Sequence, residues 1–158
     1  MQPNVRWGLV LGASVVVLNL AFALVGWHRT FSMSFVYLAV AIGLNIVAVV
    51  QCLRAYGHSA TWGGQVLNGL VTGLVASVLI FAGALLVTEV LFPDYFLEMA
   101  EGYRSSYEGM GLSEMEVEEL VSATANSSGV QSAMSGVIGT LVTSLVVAAV
   151  AGFWLRKK

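Results

Sequence analysis

The chain has 158 residues, of which 58% are hydrophobic and only 10% charged, with a net charge of −2; its mean hydropathy is +0.84. A soluble domain carries about a quarter charged residues, so this composition argues against a water-soluble fold and for one membrane domain spanning residues 1–158. The one cysteine, Cys52, excludes an internal disulfide and any multi-cysteine metal centre.

Four apolar runs, at about 7–27, 33–53, 66–91 and 130–155, are long enough to cross a bilayer as helices of about 20 residues. In hydrocarbon every backbone donor and acceptor must be paired within the protein, and these runs lack the alternation of barrel strands. The expected fold class is therefore all-α: a polytopic membrane protein with four transmembrane helices. Trp7, Trp27, Trp62 and Trp154 fall at or near the ends of the runs, where indole rings favour the membrane interface.

With the amino terminus in the cytoplasm, Arg6, Arg54 and the Arg156-Lys157-Lys158 tail lie inside. Only Arg29 and Arg104 then lie outside, in agreement with the positive-inside bias, so both termini are expected to be cytoplasmic. Arg6, the first apolar run and Ala21-Phe22-Ala23 also imitate a secretory signal with a cleavage site. The run continues to Trp27, which favours an uncleaved helix.

Small residues recur every four positions in three spans: Gly8 and Gly12; Gly69, Gly73 and Ser77; and Ser132, Gly136, Thr140, Ser144, Ala148 and Gly152. Such stripes let helix backbones approach closely, within one chain or between chains. Asn19 and Asn45 fall near the middle of spans one and two, where two antiparallel neighbours would set them at similar depth. They mark either a polar solute path or hydrogen bonding between helices; the absence of an accompanying charge favours hydrogen bonding. Glu89 is the deepest acid, and an ion pair with His28 or Arg29 is expected for it in preference to a proton relay.

All nine acids lie between positions 89 and 119 with Arg104 as the only base, leaving that window at −8 and the rest of the chain at +6. Most of them belong to an outer loop, residues 92–129, for which a short two-helix acidic cap between spans three and four is expected. Phe92, Tyr95, Phe96, Met99, Tyr103 and Tyr107 recur at helical spacing after Pro93, with Asp94, Glu98, Glu101, Arg104 and Glu108 on the opposite, solvated face. Arg104 is placed to pair with Glu101 or Glu108. Ser113 and Glu116 form a capping box, with Leu112 and Val117 placed for the hydrophobic staple, so a second helix runs to about Ala123. The acids solvate this cap, bind a cation or dock a basic partner. Asp94, Glu98, Glu101, Glu116 and Glu119 are the candidate contacts.

His28 and His58 are predicted at opposite ends of the spans, and neither has an acid or cysteine at ligand spacing. No nucleophile, phosphate-binding or zinc-protease motif is present, so no catalytic residue, metal or cofactor is assigned. No basic-aromatic surface suggests nucleic acid.

Leu91-Phe-Pro-Asp-Tyr95, the Gly-Leu-Ser-Glu-Met-Glu-Val-Glu start at residue 111 and the basic tail together resemble the domain of unknown function family 4199 over essentially the full length. That is a family of uncharacterised bacterial membrane proteins, mainly from Bacteroidetes, and it brings no activity or catalytic residues to carry over. The resemblance implies a bacterial inner membrane with the acidic loop in the periplasm. The expected function is non-enzymatic: association in the lipid bilayer with a second copy, or with a membrane or periplasmic protein through the acidic loop. The alternative is a channel-like protein or transporter for a small solute or cation, with a path near Asn19, Asn45 and Glu89.

Overall fold

The computed structural model describes residues 1–156, without the side chain of His58. Among the described residues the chain is all-helical, with six α-helices. Four of them are long and apolar enough to cross a membrane. These are α1 (Pro3–Val25), α2 (Phe31–Tyr56), α3 (Trp62–Leu85, extended by a π-helical turn Leu86–Leu91) and α6 (Gly129–Leu155). Between α3 and α6 lie α4 (Tyr95–Gly109) and α5 (Glu114–Ala125). Four such helices make this a membrane protein.

The helices begin and end where local chemistry allows, a few residues beyond or short of the apolar runs. Gly26 takes the left-handed conformation, φ 77°, and closes α1 at Val25; its N–H bonds to the Ala23 carbonyl at 3.1 Å. Trp27–Arg29 then forms a 3-10 turn rather than the last turn of a span. Thr61 and Ser128 cap α3 and α6 through Gly64 N–H and Gln131 N–H, so both helices start earlier than their hydrophobic runs.

The bundle is tightest along the α3–α6 and α1–α3 seams, and small residues are the reason. A Cβ at Gly69 would collide with Ala148, and one at Gly73 would lie 2.7 Å from Ser144 Oγ. One at Gly8 would lie 2.8 Å from the Thr72 carbonyl, and one at Gly12 2.8 Å from Leu79 Cβ. The α1 and α3 stripes and the Ser144 and Ala148 part of the α6 stripe therefore pack within the chain. α1 is a structural wall: it buries Leu11, Val15, Phe22 and Ala23, which cleavage after Ala23 would strip from the bundle. Cys52 is fully buried and accepts from Thr72 Oγ1 at 3.2 Å.

The first short helix, α4, packs against one end of the bundle, and α5 packs on α4. Tyr95 packs with Ala23 and Val87, joining α4 to the ends of α1 and α3. Phe31 meets Tyr103 and Tyr107 edge to face, and Ser34 shares a short hydrogen bond with Tyr103, joining α4 to α2. Gly102 lets α4 press on the turn, because a Cβ there would run into the Arg29 carbonyl. α5 packs on α4 through Ala100, Val117 and Val121. At the opposite end, Gln65 Nε2 donates to the carbonyls of Gly57 (2.9 Å) and Leu155 (3.2 Å), tying the α2–α3 turn to the end of α6.

Candidate functional site

The polar groups converge under α4, around the turn that follows Gly26. His28 folds back into the bundle until its side chain is 1% exposed. Its ring stacks on Tyr95, centroids 4.5 Å apart and planes 15° apart. Its Nε2 lies 2.9 Å from Glu98 Oε2. Arg29 donates from Nε to the same oxygen at 3.2 Å and from Nη2 to Oε1 at 2.8 Å.

These donors hold the Glu98 carboxyl below the usual carboxylate range, the His28 hydrogen bond first and Arg29 after it. An ionised carboxylate only accepts, so Nε2 carries the shared proton. His28 Nδ1 then has no hydrogen-bond partner. A buried polar nitrogen left unpaired costs about 1–3 kcal/mol. Burial pushes the Tyr95 and Tyr103 hydroxyls above the usual phenol range, the Ser34 hydrogen bond opposing it at Tyr103. Both phenols are therefore neutral donors at physiological pH.

Beneath this cluster lies a cavity of about 350 Å³. Its walls come from α1 (Asn19, Phe22), the turn (Trp27, His28), α2 (Ser34, Tyr37), α3 (Ile80, Thr88), α4 (Tyr95, Met99, Tyr103) and α6 (Ser132, Gly136). Thr88 belongs to the π-helical turn, and its hydroxyl donates to the Ala84 carbonyl at 2.9 Å. That hydroxyl competes with the backbone ladder where it widens to the Phe92 N–H···Val87 carbonyl bond of 2.9 Å. Single π turns of this kind are frequent at functional sites. A second space of about 160 Å³ adjoins the first between α2 and α6, sharing Leu38 and Ser135 with it and ending at Asn45 and Thr140.

The structure rearranges several sequence expectations. Glu89 does not pair with His28 or Arg29; its Oε1 accepts from Gly129 N–H at 2.8 Å and caps α6. The ion pair expected of Glu89 is made by Glu98, which leaves the solvated face of α4 for the turn. Arg104 reaches Glu118 on α5 at 3.0 Å, not Glu101 or Glu108, because α5 folds back along α4. The two asparagines differ in depth. Asn19 lies six residues from the end of α1, about 9 Å, and Asn45 fourteen residues into α2, about 21 Å from the same end of the bundle. Asn19 lines the cavity; Asn45 donates to Ser144 Oγ at 3.0 Å and the Thr140 carbonyl at 3.2 Å, a helix-to-helix clamp.

Of the remaining acids, Glu116 completes the capping box with Ser113, and its carboxylate is held below the usual range by the Ser113 hydroxyl and N–H. Asp94, Glu101 and Glu119 are exposed. His28 is expected from the sequence only as a partner of Glu89; its actual acid, Glu98, stands 70 positions away. The available signal was a lone histidine beside an arginine at the end of an apolar run, facing an acidic helix. Among the described residues no group of three His, Cys, Asp or Glu side chains converges to hold a metal.

The Asn45 clamp carries a direct prediction. Asn45→Val removes both donors while keeping the volume close, and is expected to cost about 0.6–2 kcal/mol, read as a lower unfolding temperature in detergent. Asn19→Val, at a position with no such clamp, serves as its comparison.

No curated protein and no solved structure matches the chain. The model of the family described as "Protein of unknown function (DUF4199)" matches residues 6–157, nearly the whole sequence, and the chain belongs to that family.

Proposed function

We propose that this is a non-enzymatic membrane component that recognises a basic protein partner through the exposed face of α4 and α5. In this reading the four long helices span a bacterial inner membrane with both termini in the cytoplasm. The two short helices form an extramembrane acidic cap in the periplasm. The positive-inside distribution supports that orientation.

The observation that carries the reading is the composition of the exposed face. Asp94, Glu101, Glu108, Glu114 and Glu119 are exposed there. Apolar side chains stand bare among them: Leu97, Met110 and Met115, the last 80% exposed. A shallow depression on α5 combines Met115 with Glu114, Glu118 and Glu119. Carboxylates around exposed methionine suit a partner that offers lysine or arginine beside an apolar side chain. Two copies of this face would repel each other, which disfavours self-association through it. Glu98 and Glu116 are committed to contacts within the chain, so the docking burden falls on Asp94, Glu101 and Glu119.

The competing solute-path reading has less support, since Asn45 and Glu89 are engaged in a helix clamp and a helix cap. In-cell photo-crosslinking from position 108 tests the proposal. A discrete heterologous species is expected, and its yield should fall several-fold in the D94K/E101K/E119K variant. Uncrosslinked chain alone, with labelling confirming that position 108 is accessible from outside, would overturn it.

A further inference from the structure

We infer that the cavity under α4 is a binding site for an uncharged amphipathic molecule with one hydrocarbon chain, taken laterally from the bilayer between α2 and α6. The inference stands apart from partner docking, which uses the opposite face of α4 and α5.

The two helices touch over only half their length. Every buried residue of α2 lies at Asn45 or beyond. There Asn45 binds Ser144 and Thr140, and Val49 and Leu53 pack with Ala148. Nearer to α4 the helices part. Leu38, 55% exposed, and Ile42 on one side face the exposed Ser135 and Gly139 on the other. All four line the second space, which adjoins the main cavity and shares the walls Val15, Tyr37, Leu38, Ile80, Ser135 and Gly136 with it. The gap therefore opens on a flank formed by membrane-spanning helices, where the surrounding solvent is acyl chain.

Polarity across the two adjoining spaces is graded. The lateral part is lined mainly by apolar side chains, Leu11, Ala41 and Ile42 together with Val15, Leu38 and Ile80 shared with the main cavity, and it closes at its deep end on Asn45, Thr140 and Thr143. The part under α4 is walled by neutral hydrogen-bonding groups: Asn19, Ser34, Tyr37, Thr88 and Tyr103. Among the described residues no carboxylate, lysine or arginine lines either part. His28, in the same wall, has its Nε2 committed to Glu98 and its Nδ1 unpaired. The main cavity alone falls within the range of about 300–1,000 Å³ typical of ligand pockets. A neutral head group that donates and accepts hydrogen bonds satisfies the upper part. A single chain fills the lower part, and a charged head would meet no carboxylate, lysine or arginine among the described lining residues. Gly139, beside the α6 small-residue stripe, is what leaves room for the chain: a Cβ there would meet nothing within 4 Å.

The test uses the full chain in phosphatidylcholine nanodiscs with a monooleoylglycerol analogue that carries a photoreactive group mid-chain. Saturable labelling on α2 and α6 is expected, competed by monooleoylglycerol at about tenfold lower concentration than by oleate, the same chain with a charged head. G139L plugs the gap and should reduce labelling by about tenfold, with the unfolding temperature unchanged. S135F plugs it from a second position should G139L fail to fold. Unsaturable labelling spread over all four long helices, equal competition by oleate, or labelling indifferent to both plugs would overturn the inference. So would a crosslink between two copies at position 139 that excludes the probe, because a second chain would then be the occupant.

Discussion

Gly69→Leu is expected to part α3 from α6 and to give the largest loss of stability of the substitutions considered. A Cβ at residue 69 already collides with Ala148, and lies 3.3 Å from Val49 Cγ1 and 3.4 Å from the Ser144 carbonyl. The obstruction is partly backbone, so no rotamer change relieves it. Ser144 also presses on Gly73 and holds Asn45 at both ends of its amide. Displacing α6 at this level therefore breaks the polar clamp as well as the apolar seam. Overpacking a tight core costs about 1–3 kcal/mol, more where backbone must move, and loss of the clamp adds to it. Thermal unfolding in detergent should show a marked drop for Gly69→Leu and a smaller one for Gly69→Ala. Gly139→Leu, on α6 but facing open space, should leave the transition where it was. Equal effects at 69 and 139 would mean that the α3–α6 seam is not formed as described.

The contrast between Gly69 and Gly139 also shows what the sequence could reveal. Both belong to glycine-bearing apolar helices, and a small-residue stripe announces close packing without saying which part of it is used. The inner part of the α6 stripe, Ser144 and Ala148, meets α3; the part next to α4 lines a cavity. That division depends on how α2 leans away, which no local pattern encodes. Local signals were legible: four apolar spans, the Ser113–Glu116 box and the aromatic face of α4 all follow from residues within a few positions of each other. Long-range pairings were not. Nothing near Glu89 or Glu98 indicates which of them reaches His28. The choice is made by Gly102, whose missing side chain lets α4 settle on the Arg29 carbonyl and brings Glu98 over the turn.

Replacing that carboxylate is expected to loosen the roof of the cavity and to change how stability responds to acid. In the folded chain Glu98 accepts from His28 and Arg29 and its carboxyl is held below the ordinary value of about 4.3. A depressed folded value means that the contribution is fully present above the unfolded value. It fades as the pH falls from about 5 through 4.3 toward the lower folded value, as the unfolded chain takes up the proton first. Glu98→Gln removes the charge, sets an amide that also donates among donors, and leaves buried His28 poorly paired. With the Glu98 side chain a third exposed, solvent screening keeps the loss at neutral pH to about 1–2 kcal/mol. Below about pH 4 the difference between variant and parent should shrink, because the parent has lost the same contribution. Hydrogen exchange should rise in α4 and in the Trp27–Arg29 turn, while the α3–α6 seam stays protected. Glu101→Gln, three residues along α4 and exposed, should change neither the acid limb nor the exchange pattern. A Glu98→Gln chain that keeps the parent's protection in α4 and its acid response would show that the aromatic contacts of Tyr95 and Tyr103 alone hold the roof in place.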